Sequence, residues 1–263
     1  MIDETADIMI NPLKIISWQA EKDVYLKQLA DAGVHMPKTF YQDRTDPSEE
    51  APSLEEFSEM LGGCDDIIIK PVDGNGGVGV LRLDPFKEED ESTYRWTLGG
   101  DSLLVQCFQK QIKTKGERGV IFVAGQVTHG VIKMPAKDEA SFLVHEAYSG
   151  STKIYEPSEE EATFAKNVAQ TVKDIVGEYP AYMRVDMFYD NDDKLALMEL
   201  ASGTANLWMA ENQKTADVLA EYLDGLLRDL EARTEERTDR GDAKSTADKS
   251  GNVHIDSSVH SEL

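Results

Sequence analysis

Two groups of residues in this chain have the types and spacing for chemistry on phosphates. The first is Lys70, which ends the apolar run Ile67-Ile-Ile-Lys70 and is followed by Asp73-Gly-Asn-Gly-Gly-Val-Gly79. Gly74, Gly76, Gly77 and Gly79 formally match G-x-G-x-x-G, a pattern whose meaning depends on what surrounds it. A dinucleotide fingerprint needs a helix after the loop, so that the helix N-terminus meets the pyrophosphate. Here Val80-Leu-Arg-Leu83 follows and reads as a strand. No Gly-Lys-Ser/Thr follows either, which excludes a Walker loop. A strand–loop–strand unit of this kind can still cover phosphates, because small residues let backbone N–H groups approach the oxygens. Lys70 precedes the loop, unlike the lysine of protein kinases, and no H-R-D or D-F-G is present. A lysine ending a buried strand is rarely core, since an unpaired ammonium is costly to bury. Taken alone, the loop is equally an ordinary turn beside a snorkelling lysine.

The second group is Met183-Arg-Val-Asp-Met-Phe-Tyr189, the turn Asp190-Asn-Asp-Asp193, and Leu195-Ala-Leu-Met-Glu-Leu200. Side chains alternate faces along a strand, so Arg184 and Asp186 share one face. A tight turn centred on Asn191 and Asp192 sets Glu199 opposite Arg184 and diagonal to Asp186. The other face then carries Val185, Met187, Tyr189, Ala196, Met198 and Leu200, all able to pack. Two hard carboxylates beside an arginine suit Mg²⁺ held with nucleotide phosphates. The arginine can offset charge that develops on a transferred phosphoryl group. Taken alone, the hairpin reads first as a cross-strand Arg184–Glu199 ion pair with Asp186 in solvent, and only in company with other features as a metal site.

The elements that must position these groups follow from periodicity. Residues 18–33 carry apolar positions at helical spacing and stop at Gly33, and Val34–Phe40 reads as a short strand. Ser53-Leu-Glu-Glu56 fits a capping box that opens a helix to about Leu61. After the glycine loop and Val80–Leu83 comes a polar loop, then a strand over Ser102–Cys107. Val120–Val123 and Val127–Lys133 form a hairpin around Ala124-Gly125-Gln126. Residues 158–176 form an amphipathic helix with acids in its first turn, and 213–231 form the last helix. Residues 1–14 read as a leader. Residues 232–263 are polar, with few apolar positions, and read as a disordered tail. Helices interleaved with hairpins give an α+β class rather than a doubly wound parallel sheet.

Composition narrows the partners. The chain has 263 residues and a net charge of −23. Such a surface repels a phosphate backbone, so nucleic-acid binding is excluded as an expectation. No run of about 18 apolar residues is present, which argues against a membrane span. The acidic N-terminus lacks the basic n-region of a signal peptide. The two cysteines, Cys64 and Cys107, make no disulfide framework, and the five histidines show no metal spacing. A cytoplasmic protein is the resulting expectation.

The two groups stand in the order and spacing of the ATP-grasp superfamily, and the chain resembles its glutathione-synthetase-like members. The likeness runs from Trp18 to Trp208, through WQAEKDVYLKQLADAGVHMPKT, IIIKPVDGNGGVGV, LLVQCF, GERGVIFVAGQVTHGVIKMP, SFLVHEAYSG and RVDMFYDNDDKLALMEL. It implies two α+β subdomains clamping a nucleotide, with a small lobe over 15–104 that includes the entry helix, and a large lobe over 105–231. It implies that Lys70 and Lys133 hold ATP phosphates under the glycine flap. Gln106, Cys107 and Phe108 would meet adenine through backbone groups, and Glu117 the ribose hydroxyls. Asp186 and Glu199 would bind Mg²⁺ (or Mn²⁺), with Arg184 on the phosphate side. Lys22 lies in the entry helix where the family often has a lysine.

Three departures qualify the likeness. The family has a further metal ligand, Asn or Glu, two positions after the last glutamate, where this chain has Ala201. Its Phe-Arg pair near the flap is Phe142-Leu143 here. Its substrate domain precedes the entry helix, whereas this chain starts almost at that helix. Two readings therefore stay open. One is an ATP-dependent carboxylate–amine (or carboxylate–thiol) ligase that acts through an acyl phosphate on small-molecule carboxylate and amine substrates. The other is a non-catalytic, degenerate or truncated nucleotide-binding module that lacks the N-terminal substrate domain and relies on a partner domain in its place.

Overall fold

In a computed structural model of the chain, residues 9–45, 51–203 and 205–247 are described. The chain divides into two compact units, Met1–Leu219 and Ala220–Leu263. The first contains every element but the greater part of the last helix. Its opening elements are α1 (Leu13–Ala20), α2 (Lys22–Asp31), β1 (Thr39–Gln42), α3 (Leu54–Leu61), β2 (Ile67–Pro71), β3 (Leu81–Leu83), α4 (Glu88–Gly100) and β4 (Leu103–Cys107). Then come α5 (Ile112–Lys115), β5 (Glu117–Val123), β6 (Gln126–Met134), β7 (Ser151–Tyr155), α6 (Glu159–Val176), β8 (Tyr182–Tyr189), β9 (Leu195–Ala201) and α7 (Gln213–Ala247).

The small lobe is an antiparallel sheet in the order β1-β4-β2-β3, backed on one face by α3 and α4. Strand alternation divides its residues. Ile67 and Ile69 of β2, with Leu103 and Val105 of β4, bury against Leu54, Phe57, Tyr94 and Leu98 of the two helices. Ile68 and Lys70, with Leu104 and Gln106, face the other way and line a cleft. The expected capping box is present. Ser53 Oγ accepts the Glu56 N–H at 3.1 Å, and the Glu56 carboxylate accepts the Ser53 N–H at 2.7 Å. Gly62, in the left-handed region, ends the helix.

The large lobe is an antiparallel sheet in the order β7-β6-β5-β8-β9. The expected amphipathic helix forms as α6, and it opens on a capping box between Ser158 and Glu161 that sequence reasoning did not single out. That helix presses Ala165, Val168, Ala169 and Val172 onto Val120, Phe122, Met183, Val185 and Met187. The hairpin joining β5 and β6 turns at Ala124 (φ 47) and Gly125 (φ 82), the two positive φ angles of a tight primed turn.

Several expectations need correction. The entry helix is two helices broken at Glu21, and both pack through Ile15, Tyr25, Leu26 and Leu29 into the large-lobe core rather than the small lobe. β4 belongs wholly to the small sheet, beyond the boundary drawn at 104. The strand expected over Val34–Phe40 forms at Thr39–Gln42. The stretch read as a polar loop holds α4, which buries only Tyr94 and Leu98 and is tied further by the Glu91 carboxylate on the Leu54 N–H and by Arg95 on the Ala51 carbonyl. The leader is partly built in. The Asn11 side chain donates to the Tyr182 and Ser202 carbonyls and accepts the Ala181 N–H, tying the chain to β8 and the end of β9. Its first eight residues lie outside the described residues. α7 runs to Ala247, past the point where apolar periodicity stops, because no proline interrupts it. The tail expectation beyond 247 falls outside the described residues. The two cysteines, too few for a framework, are joined in one disulfide with a Cα–Cα distance of 5.6 Å.

Candidate functional site

A cavity of about 620 Å³ lies between the two sheets. Of the predicted residues, Lys70, Gly74, Gly76, Gly77, Gln106, Cys107, Phe108, Glu117, Lys133, Arg184 and Glu199 all line it. Gly79 and Asp186 do not. Gly79 closes the base of the loop with φ 74, and a Cβ there would sit 2.7 Å from Pro71 Cγ.

One end of the cavity is apolar. Ile68, Phe108, Ile112, Phe188 and Ala196 form a buried cluster flanked by Val80, Phe142, Val144 and Met198. Phe108 and Phe142 meet edge to face at 6.0 Å, and the Arg82 guanidinium lies 4.2 Å over the Phe108 ring. The linking segment is pinned at several points. The Gln106 side chain donates to Thr39 Oγ1, the Phe108 N–H donates to the Asp66 carbonyl, and the Phe108 carbonyl accepts from Asn191 Nδ2. The disulfide at Cys107 adds a covalent tie to Cys64. A flat apolar slot beside an exposed strand end suits a planar base.

The other end is charged. Glu117 and Lys133 are partners across β5 and β6, and their side chains meet at 2.5 Å. Lys133 also lies 3.6 Å from Asp186. Arg184 grips Asp186 with two parallel bonds of 2.7 Å, from Nε and Nη2. Burial works against the Asp186 carboxylate, but Arg184 and Lys133 outweigh it and hold its pKa below the usual range. Burial likewise opposes the Lys133 ammonium, and Asp186 and Glu117 overcome it and raise its pKa. Burial raises the Glu117 carboxyl, against the pull of Lys133. Lys22, at the start of α2, donates to the Gly74 carbonyl at 2.7 Å and lies 3.4 Å from Glu199.

Lys70 differs from these cations. Among the described residues it has no hydrogen-bond or ion-pair partner, and burial depresses its pKa despite nearby Glu199. Lys22, Lys70, Lys133 and Arg184 thus face Glu117, Asp186 and Glu199 with one cation in excess, in a chain of net charge −23. Above them the loop presents further donors. Gly76 (φ 63) and Gly77 (φ 81) are in the left-handed region, where a side chain would be strained. The N–H groups of Asn75, Gly76 and Gly77 have no acceptor among the described residues. Successive free amides over a cationic floor suit a phosphate chain.

The carboxylate hairpin forms as expected, but its register does not. Arg184 pairs with Ala201 and Asp186 with Glu199, and a bulge shifts the ladder before Met187 meets Leu197. Glu199 is therefore opposite Asp186, not Arg184. The bulge also moves residues between faces. Val185, Met187, Tyr189 and Leu200 keep to the core, whereas Ala196 and Met198 turn toward Phe188 on the cavity side. As a result Met198 and Glu199, adjacent in sequence, both line the cavity.

Two contributors were not evident in the sequence. Gly119 lies under the charge network, where a Cβ would sit 2.8 Å from Asp186 Oδ1 and 2.9 Å from Arg184 Cδ. Trp208, at φ 46, holds its ring 5.5 Å from the Arg184 guanidinium and 5.9 Å from the Lys133 ammonium. The only hint for Gly119 was a glycine inside a strand pattern, a mark of close approach. Nothing in the sequence pattern marks Trp208.

Two antiparallel lobes closing on a cleft of this kind define the ATP-grasp fold. Residues 36–177 match the family described as "Prokaryotic glutathione synthetase, ATP-grasp domain", and the chain belongs to that family. A glutathione synthetase of Mesorhizobium japonicum is 24% identical over 173 residues, covering 62% of this chain and 50% of that protein. The chain thus spans about half the length of that relative. Among solved structures, D-cycloserine synthetase DcsG matches with a TM-score of 0.68 at 18% identity, over 81% of this chain and 73% of that one. A D-alanine–D-alanine ligase from Bacillus anthracis matches at 0.60 and 18%, over 86% and 72%.

Proposed function

We propose that the cleft binds ATP with Mg²⁺ (or Mn²⁺) and that the chain is the nucleotide-binding part of a carboxylate–amine ligase. The observation that carries this reading is Lys70, a partly buried lysine with no hydrogen-bond or ion-pair partner among the described residues, in the same cavity as the open loop amides of Asn75, Gly76 and Gly77. An unpaired buried charge is costly, and a phosphate supplies the missing partner. Adenine takes the slot beside Gln106, Cys107 and Phe108, and Glu117, on the cavity wall beside Lys133, accepts from the ribose hydroxyls. Asp186 and Glu199 stand opposite one another, and such a pair would hold Mg²⁺ together with substrate phosphates and water. Both Asp186 oxygens are engaged by Arg184 and the side chain is shut off from the cavity, so Asp186 would have to give up part of that grip to become a ligand. Ala201 adds no ligand. The ion would supply charge neutralisation on the phosphates.

In the reaction, a carboxylate oxygen attacks the γ-phosphorus and ADP leaves with the bridging oxygen. The acyl phosphate is then attacked at carbon by an amine, inorganic phosphate leaves, and the nitrogen loses a proton. Lys70, Lys133 and Arg184 offset the charge on the transferred group, and Arg184 is fixed for this by Asp186 and the Trp208 ring. The acceptors are small-molecule carboxylates and amines.

The test is ADP release with ATP, Mg²⁺ and a panel of carboxylates, with hydroxylamine as a general nucleophile to trap the acyl phosphate. Hydroxamate formation with at least one carboxylate, lost in Arg184→Met, is expected. ATP binding without any hydroxamate would reject the ligase reading in favour of a binding module.

A further inference from the structure

The segment between β6 and β7 lies against the glycine loop, and one of its side chains has no part in the account so far. If Gly77 carried a Cβ, it would meet Tyr148 at 3.3 Å and Leu143 at 3.5 Å. At Gly76 the nearest atom would be His145 Nε2, at 3.9 Å. His145 therefore turns its Nε2 edge toward the tip of the loop, and it lines the same cavity as Lys70 and Lys22. Its other ring nitrogen is occupied, since Nδ1 accepts the N–H of Ala147 at 3.2 Å. A ring whose Nδ1 accepts a hydrogen bond carries its proton on Nε2 when neutral, and carries one there when charged as well. Nε2 is thus a donor in either state and not a base. Among the described residues it has no acceptor.

We propose that His145 donates from Nε2 to the phosphate chain of the bound nucleotide, closing the cradle at the tip of the glycine loop. This rests on the nucleotide reading above. The physical case is that of matching donors. Among the described residues the amides of Asn75, Gly76 and Gly77 have no acceptor, and the exposed His145 brings its Nε2 to the tip of the same loop, in a cavity that Lys70 and Lys22 also line. Lys22 is engaged by the Gly74 carbonyl and Glu199, and the donors left open beside it suit an anion with several oxygens. Because Nε2 donates in both protonation states, the contact does not depend on the ring being charged.

The test uses His145→Leu and His145→Gln in the full chain, titrated with ATP, with tripolyphosphate and with adenosine. Both variants lose the Nδ1 acceptor that holds Ala147, but only Gln keeps a donor within reach of the Nε2 position. The expected result is a loss of about tenfold or more in ATP and tripolyphosphate affinity for His145→Leu, with adenosine unchanged, and a Gln variant within about threefold of wild type. ATP affinity unchanged in the Leu variant would overturn the proposal. Equal losses in Leu and Gln would also overturn it, since they would trace to the lost Ala147 contact. A parallel fall in adenosine affinity would do the same, by showing damage to the whole cleft. Wild-type protein that bound neither ATP nor tripolyphosphate would instead reject the nucleotide reading itself.

Discussion

At the scale of single residues, the site is a contrast between paired and unpaired charge. Lys133 and Arg184 are held by Glu117 and Asp186, so their protons are secure over the neutral range. Lys70 has no such partner, and burial lowers its pKa. A bound phosphate favours its ammonium form, so binding raises that pKa again. At a pH above the depressed value, the free protein carries a neutral Lys70 that must take up a proton when ATP binds. Affinity should therefore fall as pH rises through that value, and the heat of binding should vary with the ionisation enthalpy of the buffer. Calorimetry in two buffers reads this uptake. Lys70→Met should abolish it, and an uptake that survived the substitution would assign it to another group. Lys70 was legible in the sequence because a lysine that ends an apolar strand breaks the pattern. Trp208 was not, since its place over Arg184 depends on a left-handed backbone in a loop.

At the scale of elements, the site depends on strand geometry that local pattern reading resolves only in part. The capping box at Ser53 and both hairpins were legible, because caps and tight turns are set by a few adjacent residues. The register of the β8–β9 hairpin was not. A slip of one residue reverses a face, and a bulge adds a further residue that no turn rule announces. α4 was missed for the opposite reason, since only Tyr94 and Leu98 mark its buried face. Within β5, Gly119 leaves the space that Arg184 and Asp186 fill. Gly119→Val should displace that pair and lower both stability and ATP affinity, the latter by about tenfold or more, as buried charge pairs are disrupted. Thermal unfolding and nucleotide titration on the same preparation check this. Unchanged ATP binding in the valine variant would mean that the pair contributes nothing to the site.

At the scale of the whole molecule, an acidic chain encloses a cleft with an excess of positive charge. The cleft carries the opposite sign of charge to the chain as a whole, as suits a small polyanion. Among the described residues no helix is long and apolar enough to cross a membrane. The disulfide closes a loop with a sequence separation of 43 and anchors the segment beside the apolar slot. In the chain-entropy account, its reduction should cost up to about 4 kcal/mol of stability. Denaturant unfolding with and without dithiothreitol measures that cost, and coincident curves would show that the bond does not constrain the unfolded chain.

The central claim is that Lys70 awaits a phosphate. Isothermal titration of wild type and Lys70→Met with ATP and Mg²⁺, beside their thermal unfolding, tests it most directly. Because Lys70 has no hydrogen-bond or ion-pair partner among the described residues, its replacement should leave the fold at least as stable, while ATP affinity drops about tenfold or more. Equal ATP affinities, or a wild-type protein that binds no ATP, would contradict the account.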